Sequence, residues 1–445
     1  MVEIVILFKV DELTQKAVSV LKANDRGSYT VPSPKLYPHQ WLWDSCFIAI
    51  GLRHLDARRA ATEIESLFRG QWQNGMLPHI TLREDSSYWA GAGFWQSDVS
   101  PVAPKDVATS GITQPPVVAI AAEKVAQKLP EAEAHVFLKQ LFPKLLAYHN
   151  WLYRDRDPES SGLIVLVNAW ECGFDNTPPW MRTIRWMSPL WISTLLKMRL
   201  DGILTKRRQD TKTVPPEQRI TNIEALKLAH LAYLHRQNGY DSRRTIATSR
   251  YCVEDVGFNS ILIAANKALV RIANEISEDI PSDLSYRFTQ TEKALEQLWD
   301  ENSSMYCSRN FSSKKLLRQP TISGLLPLFS GAISKERADK LVLTLSNKEQ
   351  FGANFPIPTV PTSSRYFKEK CYWQGPAWIN ANWMITQGLK EYGHIEKTNE
   401  IRQKSLQLVN NNGCYEYFSA LSGKPLGASD FSWTAALIID LMKSD

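Results

Sequence analysis

The chain is predicted to be all-α, a ring of helical hairpins carrying inserted loops, on three observations. Apolar residues recur at helical spacing in about a dozen segments. Loops rich in Gly, Pro and polar residues, many bearing Trp or a carboxylate, end most of those segments, and alternating strand-like runs are few.

The first helical pattern starts near Asp11, with Leu13, Ala17, Val18 and Leu21 on one face, and Gly27 and Pro32 stop it. The apolar run before it, Ile4 to Phe8, is cut by Lys9, Asp11 and Glu12 and is too short for a signal-peptide core or a membrane span. Tyr37 to Leu52 begins as a loop and runs into an apolar helix. It carries Trp41, Trp43 and Asp44 near the helix N-terminus, where the dipole favours a carboxylate. A helix near 56–70 follows, and then the Gly-, Ser- and aromatic-rich loop Ser86–Gln96, including Tyr88, which can close over a small ligand. Thr109–Pro116, with Gln114, opens a helix over 117–127, and another covers about 132–153. Further helices are expected at about 181–200, 221–238, 254–276, 286–299, 334–346, 376–392, 396–409 and 431–443. Residues 201–250 turn polar, with Lys206–Asp210 and Val214–Pro216, and are expected to form an inserted lid or side helix within a single domain spanning 1–445.

Composition narrows the function. With 44% hydrophobic and 22% charged residues the chain can bury a large core. The net charge of +6 arises from 52 basic and 46 acidic residues without a Lys/Arg tract, so nucleic acid is a poor partner. No eighteen-residue apolar stretch suggests a membrane span. The six cysteines, 46, 172, 252, 307, 371 and 414, form no C-x-x-C pair and no His-Cys ligand spacing. No metal or other cofactor is therefore expected, and a reducing, cytoplasmic compartment is. A homo-oligomer stays open. Fifteen tryptophans, many beside Asp, Glu, Gln or Asn, favour walls that face carbohydrate, against the plainer role of core filling.

The densest cluster is Asn168–Trp180, which holds Trp170, Glu171, Gly173, Asp175, Pro178, Pro179 and Trp180. Neither helical nor strand periodicity explains it, and it is expected to be a rigid loop closing a pocket, with Trp170 and Trp180 facing a sugar. A pocket of Trp, Gln, Asn and Tyr without metal ligands must work through carboxylates. Glycosidic hydrolysis needs one protonated acid and one carboxylate. Asp175 is one candidate. Glu416, set between Tyr415 and Tyr417, is another, although a half-buried strand would also place it there. Glu171, Asp44 and Asp255 compete. A second aromatic knot, Cys371–Trp383, is expected to start a helix at Pro376 and to offer Gln374 and Asn382 to sugar hydroxyls.

Together these motifs resemble glycoside hydrolase family 63 and its trehalase-like relatives. There a Trp-Glu-Ser-Gly-x-Asp-Asn-Ser loop carries the general acid, a Tyr-Trp-Arg-Gly-Pro-x-Trp segment lines the pocket, and a late Tyr-Glu before a Phe-Ser-Trp-Thr-Ala-Ala helix carries the base. The corresponding stretches here are Trp170–Thr177, Tyr372–Trp378, and Tyr415-Glu416 with Phe431–Ala436. The opening Tyr37–Asp44 resembles most closely the mannosylglycerate and glucosylglycerate hydrolases of that family, which act on compatible solutes. The resemblance implies an (α/α)6 barrel and an inverting mechanism with Asp175 as acid and Glu416 as base. It implies a sugar subsite of Tyr37, Trp41, Asp44, Gln114, Trp373, Gln374 and Trp378, to which Trp43, Tyr88, Trp170, Glu171, Gly173 and Trp433 are added as substrate-binding residues. Cys172 and Thr177 stand where Ser is usual, keeping small size, and Gln374 stands where Arg is common, which removes a fixed positive charge and leaves the hydroxyl contacts, and with them the choice between glucose and mannose, open. An inverting pair should stand roughly 6.5–9.5 Å apart. Arg207, Arg208, Arg219, Arg243, Arg250 and the amides around Gly91 and Gly93 are candidates for a glycerate carboxylate, each arginine being also an ordinary surface residue.

Three alternatives have distinct signatures. A trehalase-like or α-glucosidase enzyme acting on a neutral disaccharide or glucosylglycerol would not need the substrate carboxylate. A non-catalytic sugar-binding toroid would turn Asp175 and Glu416 away from a common cavity. An epimerase or lyase would want a histidine base, for which only His39 and His79 lie in suitable loops.

Overall fold

Helices that are apolar on all sides lie inside, and one-sided helices lie outside. The structure, a computed structural model, describes residues 2–83, 88–187, 189, 192, 208 and 210–443, with side chains from residue 12 onward. Twelve of its helices alternate along the chain between an outer and an inner position. The outer ones are α1 (Val2–Asn24), α3 (Ala57–Leu67), α5 (Glu131–Arg156), α7 (Ser282–Leu295), α9 (Lys335–Ser346) and α11 (Ile395–Asn412). The inner ones are α2 (Leu42–Leu52), α4 (Val118–Ala126), α6 (Val256–Glu275), the short α8 (Pro327–Ser330), α10 (Ile379–Glu391) and α12 (Ser432–Lys443). Each inner helix packs on the next, and α12 returns to α2, which closes the ring of an (α/α)6 barrel.

The inner position explains the composition. Every residue of α2 is buried. Helix α6 is long and apolar enough to cross a membrane, contrary to the expectation that no such stretch exists. Its apolar length is spent inside the ring, where 14 of its residues are buried. Helix α3 buries Ala60, Ala61, Ile64 and Leu67 on one face, and Asp56 caps it by accepting from the Arg59 amide.

Most helix positions agree with the sequence to within a few residues. The first helix starts at Val2 instead of near Asp11, and α7 begins four residues before expectation. Helix α10 does not start at Pro376: Ala377 pairs in antiparallel fashion with Phe418, so the chain stays extended until Trp378 caps the helix. Of the helix expected over 181–200, the described part is Pro178–Thr183, and most of the rest lies outside the described residues. The polar insertion carries the side helix Asn222–Gln237, begun by a Thr221/Glu224 capping box, and its residues 201–207 and 209 lie outside the described residues. Described strands are two residues long and lie in loops, most in pairs such as Gln40–Trp41 on Ile80–Thr81 and three in one small sheet, Val165–Leu166, Val253–Glu254 and Arg309–Asn310.

Candidate active site

A cavity of about 700 Å³ opens at one end of the ring. Its lining residues come from the connections that lead from an outer helix into the next inner one, or from the first turn of that inner helix. The N-terminal, electropositive ends of the inner helices therefore face it.

Asp175 is the one residue of 162–180 that keeps partial exposure, and it lines this cavity. Its loop is held from three sides. Gly173, at φ +77°, passes so close to Trp43 that a Cβ there would lie 2.3 Å from the indole, so glycine alone fits. Asn176 accepts from the Trp373 amide at 2.9 Å and, through its carbonyl, from Gln374 Nε2 at 2.7 Å. Phe174 packs edge-on against Trp373, ring centroids 4.9 Å apart. Burial raises the Asp175 carboxyl to about 7, with the Arg219 guanidinium and a Tyr372 hydrogen bond pulling it down and the Glu416 charge pushing it up.

Glu416 faces the same cavity from the other side of the chain, just before the short strand Tyr417–Phe418. It is only 1% exposed and fully engaged. Tyr37 OH donates to Oε1 at 2.9 Å, Arg219 Nη1 lies 3.1 Å from both oxygens, and the Ala428 amide donates to Oε2 at 3.0 Å. Arg219 Nη2 also donates to the Tyr37 hydroxyl at 2.6 Å, and its guanidinium lies over the Tyr372 ring at 4.2 Å. A carboxyl neutral to about pH 7 and an arginine-paired carboxylate in one cavity can supply a proton donor and a proton acceptor.

Asp44, in the first turn of α2, also lines the cavity, one of four acids among the described residues that do so, with Asp175, Asp210 and Glu416. Burial holds its carboxyl well above the usual range, and the charges of Glu416 and Asp175 push the same way. Beside it Tyr37, Trp41, Trp43, Tyr88, Gln114, Trp170, Trp373 and Trp433 line the wall. Gln114 Oε1 accepts from the Trp43 amide, which fixes both.

Three expected binding residues do not reach the cavity. Glu171 is fully buried in an ion pair with Arg156, at 2.6 and 2.8 Å, and also accepts from the Val167, Asn168 and Thr113 amides. It is the second half of a capping box begun by Asn168, a role its Asn-x-x-Glu spacing already signals. Gln374 turns its Nε2 inward to the Asn176 carbonyl and is not among the residues lining the cavity. Trp378 lies behind the wall, stacked on Trp373 at 3.7 Å and on Tyr417 at 4.4 Å. Asn382 likewise serves the backbone, with the Ile357 amide and Pro356 carbonyl as partners. Trp180 is core, and Asp255 caps α6 through the Phe258 amide. Glu171→Gln should lower the unfolding free energy by about 3–5 kcal/mol, because it strands a buried arginine. Urea denaturation checks this, and a loss below about 1 kcal/mol would rule out an anchoring role.

The insertion contributes more than sequence suggested. Arg219, one of the candidates for a glycerate carboxylate, is 6% exposed and inside the site, where its partner is Glu416. Arg208 lines the cavity too, paired with Asp210, which also lies 3.5 Å from Arg219 Nε. Lys212 stands exposed at the mouth. Arg243 instead binds the Arg154 carbonyl, Arg250 lies over the Tyr251 ring, and Arg207 lies outside the described residues. The Gly91 carbonyl accepts from the Phe94 and Trp95 amides, closing a single helical turn. Phe94 and Trp95, not those glycines, meet the cavity. His79, Trp89, Tyr372 and Phe431 also line the wall; the last three belong to stretches singled out from sequence, but none of the four was named individually as a binding residue.

A family model described as mannosylglycerate hydrolase MGH1-like glycoside hydrolase domain matches residues 37–434. The chain belongs to this glycoside hydrolase family. The matched span of the MGH1-like domain holds all the cavity-lining residues named above. Among relatives, a mannosylglycerate hydrolase of Thermus thermophilus is 39% identical over 95% of this chain and 99% of its own. A glucosylglycerate hydrolase of Mycolicibacterium hassiacum is 30% identical over 97% and 98%. The crystal structure of a family 63 mannosylglycerate hydrolase from Thermus thermophilus, in complex with Tris and D-glycerate, superposes with a TM-score of 0.87. It is 38% identical and covers 97% of this chain and 100% of that one. The MGH1-like chain is thus a glycoside hydrolase built as a helical barrel.

Proposed function

We propose that this hydrolase cleaves the α-glycosidic bond of a hexosylglycerate, glucosylglycerate or mannosylglycerate, with inversion, releasing hexose and glycerate. Asp175 is the general acid and Glu416 the general base. The observation that carries this is the pairing in one cavity of a carboxyl held neutral to about pH 7 with a carboxylate gripped by Arg219 and Tyr37. Asp175 gives its proton to the departing glycerate oxygen while Glu416 takes one from the water that attacks the opposite face of the sugar. Asp44, whose carboxyl burial raises well above its usual range, and Gln114 bind hydroxyls beside the indoles of Trp43, Trp373 and Trp433. Six free, buried cysteines accord with a reducing, cytoplasmic setting.

An anionic aglycone is favoured by the charge at the mouth. Asp210 and Glu416 are matched by Arg208 and Arg219, which leaves Lys212 as a surplus cation among the described residues of the wall. Lys212→Gln should raise KM for a hexosylglycerate about two- to fivefold, the scale of one exposed ion pair, with kcat little changed. An unchanged KM would remove Lys212 from the substrate. Glucosylglycerate, mannosylglycerate, glucosylglycerol and trehalose, assayed for released sugar with the first-formed anomer read by NMR, test the whole. Cleavage of neither hexosylglycerate, preference for trehalose, or release of the α-anomer would overturn it.

A further inference from the structure

We propose that Gln218 is a positioning residue that seats both Arg219 and the Ala428 amide against Glu416, and so governs how well the base works; this rests on the hydrolase function above. Gln218 does not itself line the cavity. It ends the short turn Pro216–Gln218 of the insertion, where Pro215 and Pro216 restrict the backbone. The Gln218 and Arg219 amides donate to the Pro215 and Pro216 carbonyls at 2.9 and 3.1 Å, and the chain leaves the turn extended at Arg219. Two separate clamps then hold this point on the barrel. In the first, the Gln218 carbonyl accepts from the Tyr417 hydroxyl at 2.5 Å and from the Tyr372 amide at 3.2 Å. That carbonyl belongs to the peptide bond leading into Arg219, so the root of the arginine is fixed. Tyr372 holds φ +40°, a conformation a bulky residue keeps only where its surroundings impose it, and its ring lies under the Arg219 guanidinium at 4.2 Å.

The second clamp is the side chain, whose Oε1 accepts from the Gly427 amide at 2.8 Å, 209 positions away. Strand register explains why that amide is available. Tyr417 faces Leu426, yet the Glu416 amide donates to the Ala428 carbonyl at 2.8 Å, one position further than regular pairing would give. Gly427 is thus the extra residue of a bulge, at φ +73°, and its amide has no partner in the ladder until Gln218 supplies one. The bulge lies directly on the base: a Cβ on Gly427 would stand 2.5 Å from Glu416 Oε2. The next amide, that of Ala428, donates to the same oxygen at 3.0 Å. Gln218 therefore holds the loop that grips one oxygen of Glu416 and, through its chain neighbour Arg219, the guanidinium that stands 3.1 Å from both.

The test measures kcat and KM of the wild type, Gln218→Met, Gln218→Glu and Tyr417→Phe on the parent hexosylglycerate and on the matching α-hexosyl fluoride. Gln218→Met keeps the length of the side chain and removes its acceptor. It should lower kcat about 5- to 100-fold, from the worth of one hydrogen bond to the cost of misplacing a catalytic group by near 1 Å, with KM changed less than twofold. The factor should be the same on the fluoride, which needs little help from Asp175 but still needs a base. Gln218→Glu, which keeps an acceptor oxygen in place, should recover most of the lost turnover. Tyr417→Phe removes the donor of the other clamp while keeping the ring stacked on Trp378, and it should lower kcat on both substrates in the same way. A kcat within twofold of wild type in both Gln218→Met and Tyr417→Phe would overturn the role of Gln218. So would a loss confined to the hexosylglycerate, a loss carried by KM, or an equal loss in Gln218→Glu and Gln218→Met. If Gln218→Met does not fold, as judged by near-UV circular dichroism, Tyr417→Phe carries the same comparison. Wild-type enzyme that cleaves the fluoride but neither hexosylglycerate would overturn the substrate alone, and Gln218 is then judged on the fluoride. Wild-type enzyme inactive on both would overturn the hydrolase function, and this role with it.

Discussion

Replacing Asp175 by asparagine is expected to lower kcat on a hexosylglycerate by about 10²–10⁴-fold, the contribution typical of one placed proton donor. The fold should survive. Asp175 is the partly exposed residue of its loop, and the loop is held by Gly173, Asn176 and Phe174, none of which the change touches. The loss should depend on the leaving group. A hexosyl fluoride, whose fluoride leaves as a weak base, needs little protonation and should suffer far less than a glycerate alkoxide. The wild-type pH profile gives a second check. Because burial raises this carboxyl from 3.8 to about 7, the donor form is present below that value and is lost as pH rises through it. Wild-type kcat/KM should therefore fall about tenfold per pH unit above roughly 7, and that limb should vanish in Asp175→Asn. Near-normal turnover by the variant, or a limb that persists in it, would remove Asp175 as the acid.

The contrast between Asp175 and Glu171 shows what the sequence could and could not tell. Both acids sit in one thirteen-residue stretch between tryptophans, so composition marks the stretch but not which acid faces the substrate. Local geometry separates them. Glu171 occupies the third position of a 3-10 turn whose cap is Asn168, and its carboxylate turns back to the chain and to Arg156. Four residues on, past a left-handed Gly173, Asp175 points the other way. The capping spacing was visible, but Arg156, fifteen positions earlier, was not identifiable as its partner.

The barrel was legible for a related reason. Inner helices such as α2 are apolar all round and outer ones on one face, which is a periodic signal that any neighbour satisfies. Long-range pairing carries no such signal. Arg219 meets Glu416 across 197 positions, from a polar segment that reads as solvated surface. Pro376 looks like a helix start, yet Ala377 is claimed by Phe418, and the helix waits two more residues. Trp378 and Gln374 then fall behind the wall instead of on it.

Glu416→Gln should cost a similar factor in kcat, about 10²–10⁴-fold, but for a different physical reason. The carboxylate oxygens already accept from Tyr37, Arg219 and Ala428, which together account for the roughly four lone-pair sites of the group. An attacking water must therefore take its place by displacing or sharing one of these donors, and Tyr37 is the one neutral side chain among them. Glutamine keeps the size but lacks the charge that accepts the water's proton, and it leaves Arg219 facing an amide in a buried site. Binding should thus change less than turnover. Glu416→Ala sharpens the test, since it empties a space beside a buried guanidinium that azide or formate can enter. Azide should restore sugar release from an activated α-hexosyl fluoride and yield the β-hexosyl azide, because it attacks from the face the water would have used. An α-azide would place the nucleophile on the other face and end the inverting assignment, and undiminished hydrolysis by Glu416→Gln would end its role as the base.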